Sequence, residues 1–260
     1  MKNIKDFLLP AALTMGLLTA VSCGNDNDDD DPVSGVPQEE QEAGARAFTV
    51  TIQNVSQPGL LNSDVAQGAV PLSPGAWAVF EGMENPAFTP GERADVGTER
   101  IAEDGQVEPP MGFETTLLGA AKSSGTFSAP GGPAPSPAIM PGESATFTFT
   151  AAPGDRLTFE TMFVPSNDWF YGDNGKGIAL FDEGNNPTSG DVTGLVYLWD
   201  AGTEVSEKPG MGEYQAPRQP QGATDVGPEE KRSIQLVQNR FRGWRVPENS
   251  QVLKVTITPQ

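Results

Sequence analysis

The sequence contains no histidine and a single cysteine. Without an imidazole there is no Ser-His-Asp triad, no histidine general base and no histidine zinc ligand. Most hydrolytic mechanisms go with it; carboxylate pairs and lysine or tyrosine chemistry remain. One thiol, Cys23, forms no disulfide within the chain and no thiolate metal cluster. Disulfides are permitted in an exported compartment, so here the core must hold itself together without them. Positive charge is also scarce. Lys and Arg number 16 against 35 Asp and Glu, for a formal net charge of −19. That balance argues against nucleic acid or an anionic lipid surface as a partner. It favours solubility, cation binding or a basic partner.

What is present starts with a secretory pattern. Lys2 and Lys5 precede an apolar run from Phe7 to Val21, and small residues lead to Cys23. The run is shorter than the ~20 residues of a membrane-spanning helix, and Pro10 and Gly16 interrupt it. Ala20-Val21-Ser22-Cys23 resembles a bacterial lipobox. Residues 1–22 are therefore expected to be a cleaved lipoprotein signal peptide, with Cys23 lipidated and the membrane reached through that lipid. Residues 23–45 include the run Asp28-Asp29-Asp30-Asp31 and show no apolar periodicity, as in a disordered acidic tether. An acidic tract after such a cysteine resembles the surface-export signal of Bacteroidetes lipoproteins. The expected location is the cell envelope, as an outer membrane lipoprotein exposed at the surface.

From residue 46 the chain reads as short strands. Phe48, Val50 and Ile52 alternate with threonines, as do Ala145, Phe147 and Phe149, and Leu253, Val255 and Ile257. Further strands are expected at 75–80, 156–164, 177–181 and 194–199. The alternation of 156–164 slips at Thr161. Residues 90–104 are the best helix candidate, and 128–142, rich in Pro, Gly and Ala, is a loop. Many strands and few helices indicate one all-β domain over 46–260, an antiparallel β-sandwich with a short helix and long Pro/Gly-rich loops.

Two stretches carry a resemblance. They are Val164-Pro165-Ser166-Asn167-Asp168-Trp169-Phe170-Tyr171-Gly172 and Tyr197-Leu198-Trp199-Asp200-Ala201-Gly202-Thr203-Glu204. In this order they resemble the spondin N-terminal domain, and Pro71-Leu72-Ser73-Pro74, Ala102-Glu103-Asp104-Gly105 and Pro141-Gly142-Glu143-Ser144-Ala145 are similar to segments of its bacterial members. The resemblance implies a C2-like β-sandwich with calcium at one end, a non-enzymatic family of matrix and adhesion proteins, and Asp168, Asp200 and Glu204 as the metal ligands. Glu204 stands where the family pattern has aspartate.

Calcium takes six to eight oxygens from carboxylates, carbonyls and water. Asp168 and Asp200 lie at strand ends, and both meet one ion if those strands are neighbours. The competing reading is an Asp that caps its own turn. Asp173 and Glu143 are further carboxylates that solvent alone explains, and 182–187 is a poor EF-hand match. Trp169, Phe170, Trp199 and Trp244 read as core plugs; Trp169 and Trp199 have a second reading as a ligand-stacking platform. The basic residues Lys231, Arg232, Arg240, Arg242 and Arg245 either pair with internal carboxylates or face an anionic partner. The expected function is thus an envelope-anchored, non-catalytic binding or adhesion module with structural calcium, its partner an extracellular glycan or protein. A carbohydrate-binding lipoprotein is the alternative. A carboxylate-dependent glycosidase is disfavoured, because no acid/base pair stands apart from the calcium ligands.

Overall fold

The computed structural model describes residues 44–107, 121–130, 138–220, 222–241 and 243–260. The expected signal peptide, Cys23, the tether up to residue 43 and Arg242 lie outside these residues.

Alternation builds the first sheet. Strand β1 (Arg46–Asn54) buries Phe48, Val50 and Ile52, and β4 (Ser144–Ala151) buries Ala145, Phe147, Phe149 and Ala151. Strand β11 (Leu253–Pro259) does the same with Leu253, Val255 and Ile257. Val50 lies opposite Phe147 on one side and Ile257 on the other, so the buried apolar side chains of the three strands share one face. The order is β4-β1-β11-β8, with β8 at Gly190–Asp191.

The second sheet runs β10-β9-β6-β5-β2-β3, with β7 also paired to β5. Its strands are β2 (Leu72–Glu81), β3 (Ser123–Phe127), β5 (Asp155–Phe163), β6 (Trp169–Gly172), β7 (Ile178–Ala179), β9 (Tyr197–Asp200) and β10 (Gln235–Leu236). All the pairings are antiparallel. The sheets pack face to face as a sandwich. Trp77 of β2 stacks on Phe147 of β4 at 5.3 Å between ring centroids, and Phe127 of β3 stacks on the same ring at 5.2 Å.

The outer face of the second sheet carries a second, smaller core. Ala76, Ala78, Phe170 and Trp199 turn outward and meet Phe88 and Ile101. Ile101 belongs to helix α1 (Val96–Asp104). Strands covered on both faces lose simple alternation. That explains why β2 reads as a nearly continuous apolar run and why β5 slips at Thr161: all of β5 except Arg156 is buried.

Helix α1 starts six residues later than the sequence suggests. The Asp95 side chain accepts from the Thr98 N–H at 2.8 Å and fixes the cap there. At the other end Gly105 is left-handed, φ +66°, and a Cβ there would lie 2.6 Å from Ser73 Cβ. Strand β3, Ser-Ser-Gly-Thr-Phe, has no apolar alternation and exists because β2 offers it an edge. A short helical turn, α3 (Asn249–Val252), leads directly into β11 and is held at its start by a capping box between Glu248 and Gln251. A similar turn, α2 (Val237–Arg240), follows β10.

Candidate metal centre

Strands β6 and β9 are antiparallel neighbours, with Trp169 opposite Asp200. The start of one and the end of the other therefore share one end of the sheet. Asp168 and Asp200 emerge there side by side, and both are fully buried. The Asp168 carboxyl is held well above the usual range, first by burial and then by the charge of Asp200. Asp200 is raised by burial, against the opposing pull of Arg240.

Protein donors occupy both groups. Asp168 Oδ2 accepts from the backbone N–H of Thr203 at 2.9 Å and of Glu204 at 3.1 Å, and Ser206 donates to Oδ1 at 3.4 Å. Asp200 Oδ1 accepts from the Gly202 N–H at 2.9 Å, and Oδ2 takes the Arg240 guanidinium. Asp168 and Asp200 thus build the loop after β9. Asn167 assists: its Oδ1 accepts from the Glu207 N–H at 2.9 Å, and its Nδ2 reaches Glu204 Oε2 at 3.4 Å.

The loop so held presents Glu204. Thr203 and Gly202 pair with the returning chain through Glu230 N–H to Thr203 O and Arg232 N–H to Gly202 O, both 2.7 Å. Glu204 Oε1 accepts from the Gly227 N–H at 2.8 Å. Two more carboxylates arrive there. Glu103 comes from the last turn of α1, and Asp225 from the returning loop, where its φ is +53°. One oxygen of each of Glu103, Glu204 and Asp225 lies within 4.8 Å of the others. Glu103 and Glu204 are buried and Asp225 is exposed. This partly buried acidic triad could hold a metal ion.

Glu103 gives the triad its character. It is 2% exposed, and its Oε2 has no hydrogen-bond partner among the described residues. Its carboxyl is pushed up to about 8 by burial, with Glu204 adding to the shift and a hydrogen bond from Thr203 opposing it. A buried carboxylate oxygen without a donor is costly in a folded protein, and a cation would satisfy it.

Of the three ligands expected from the sequence, Glu204 joins this triad. Asp168 and Asp200 lie next to it and shape the loop that carries it. Glu103 and Asp225 are the residues that sequence reasoning missed as ligands. Glu103 had a signal: an acid on the buried side of a helix, next to Ile101 and Ala102. Asp225 had none, lying in a loop without periodicity. Asp173 is buried and engaged by Asn85 and by the Gly177 N–H at 2.7 Å. Glu143 and Asp182 accept from nearby backbone, at Met140 and at Gly184 and Asn186.

Trp169 is fully buried and Trp199 is 6% exposed. Their rings fill the two cores, so neither offers a stacking face at the surface. Among the basic residues, Lys231 pairs with Glu229, Arg232 with Glu230, and Arg240 with both Asp200 and Glu230.

No protein-family model matches the chain, and no curated protein sequence matches it.

Proposed function

We propose that this domain is a non-catalytic binding module carrying a structural calcium ion on Glu103, Glu204 and Asp225. The observation behind the reading is that Glu103, buried with a donor-free Oε2, brings a carboxylate oxygen within 4.8 Å of one each from Glu204 and Asp225. An all-oxygen set without histidine or thiolate suits a hard cation, and the looseness of a loop-borne ligand suits calcium over magnesium. Three carboxylates supply at most six oxygens, so water or a further ligand completes the shell. The ion would join the end of α1 to both arms of the long excursion between β9 and β10. The spondin-like motifs support the same assignment: their acids Asp168 and Asp200 hold the loop that carries Glu204. The lipobox at Cys23 supports tethering at the outer surface of the cell envelope, where a binding module would meet a glycan or protein partner.

Calcium should raise the melting temperature, because the folded state binds it and the unfolded chain does not. Glu103→Gln and Asp225→Asn should each remove most of that increment. Asp200→Asn should lower the melting temperature with and without calcium but keep the increment. If Asp200→Asn alone erases it, the ion belongs between Asp168 and Asp200. Identical melting curves in calcium and in chelator would end the calcium reading altogether.

A further inference from the structure

A cleft of about 240 Å³ opens on the triad. Glu103 and Asp225 line it, as do Thr203 and three cations, Arg93, Lys231 and Arg232. This pairing of charges decides what the cleft can take. Three protein carboxylates leave a calcium ion short of its six to eight oxygens unless each binds through both. Glu103 and Asp225 line the cleft while Glu204 is buried behind its lining, so a further ligand would reach a bound ion from the cleft.

The cations are not all engaged by the protein. Lys231 and Arg232 have carboxylate partners in Glu229 and Glu230, yet their side chains stay 67% and 61% exposed. Arg93 has no carboxylate partner among the described residues. Its guanidinium is a planar fork suited to a carboxylate. Without metal the cleft's own acids, Glu99, Glu103, Asp225 and Glu229, offset these three cations, and the cleft has no net pull on an anion. A divalent ion places two positive charges at the triad itself, with coordination sites that an anionic oxygen can fill.

We propose that the metal-loaded cleft binds a carboxylate-bearing ligand, one oxygen completing the calcium shell and the group steadied by Arg93. The inference rests on the calcium reading and names the partner class of that site. The cleft is smaller than the ~300 Å³ at which drug-sized pockets begin. It therefore admits one acidic group of a larger ligand, from either an acidic sugar or an acidic side chain. Metal and carboxylate must then promote each other's binding by the same factor.

The test is calcium titration of the protein, followed by an ion-selective electrode, in the presence of glucuronate, N-acetylaspartate or glucose. A carboxylate that joins the shell tightens calcium on the order of fivefold or more, and glucose leaves it unchanged. Glucuronate acting alone identifies a sugar acid, and N-acetylaspartate acting alone identifies a side-chain acid. Arg93→Ala should keep calcium binding and the thermal increment while losing most of the coupling. Calcium binding that neither acid alters overturns the inference and leaves the metal site in place. No calcium binding at all overturns both.

Discussion

At the scale of the residue, buried acids set the behaviour of this domain. Glu160 lies on β5 against α1 with no exposed surface; Thr98 donates to its Oε1 at 3.1 Å, and Oε2 has no partner. Burial, followed by the charge of Asp95, raises its pKa well above the ordinary 4.5. The folded state keeps this proton after the unfolded chain has released it. Stability therefore falls as pH rises above about 4.5, by up to about 1.4 kcal/mol per pH unit from this group. Glu160→Gln should flatten the decline, read as the shift of the urea midpoint with pH. A second residue-scale prediction concerns Gly227. A Cβ there would lie 2.3 Å from Glu204 Oε2 and 2.4 Å from its carboxyl carbon. The side chain gives way more easily than the backbone, so Gly227→Ala should displace Glu204. Melting in chelator should barely change, while the calcium increment should shrink as it does in Glu103→Gln.

At the scale of the element, α2 is too short to persist by itself. Arg240, at its end, ties it to the sheet through Asp200 and Glu230 and lies over the Phe241 ring at 4.9 Å. The Arg240 side chain is 13% exposed and that of Asp200 is fully buried. Removing the cation leaves an unpaired buried acid, so Arg240→Met should cost about 3 kcal/mol. The loss should be clearly smaller in an Asp200→Asn background, where Glu230 loses one partner but keeps Arg232; equal losses in both backgrounds would mean the Asp200–Arg240 ion pair is not what anchors α2. The elements also mark where sequence reading ends. β1, β4 and β11 were legible because one face of each meets solvent, which leaves the alternation intact. β3 and β6 were not. β3 has no pattern of its own, and β6 is buried on both faces, so Trp-Phe-Tyr-Gly looks like a loop motif.

At the scale of the whole molecule, charge of one sign dominates. A net charge of −19 repels itself in the compact state. With Glu160 this predicts greater resistance to urea near pH 5 than near pH 8 in chelator, and calcium should narrow the gap. A domain equally stable at both would show that the interior carboxyls stay ionised at little cost. The envelope assignment is tested separately: metabolic labelling with a radioactive fatty acid should mark the protein and should be lost in Cys23→Ala.

The sequence by itself determined the chemistry available: oxygen ligands only, no imidazole or disulfide, and a sandwich whose one-face-buried strands announce themselves by period two. It also pointed, through Glu204, to the end of the sheet where the acidic triad lies. Only the tertiary structure decided which acids meet. Glu103, Glu204 and Asp225 come from a helix and from the two arms of one loop, separated by about a hundred residues and about twenty. No local pattern records such a meeting, because it depends on α1 packing against the second sheet and on hydrogen bonds to Asp168 that turn Glu204 toward it. The same packing gave Asp200 to Arg240, a pairing that spacing alone does not reveal.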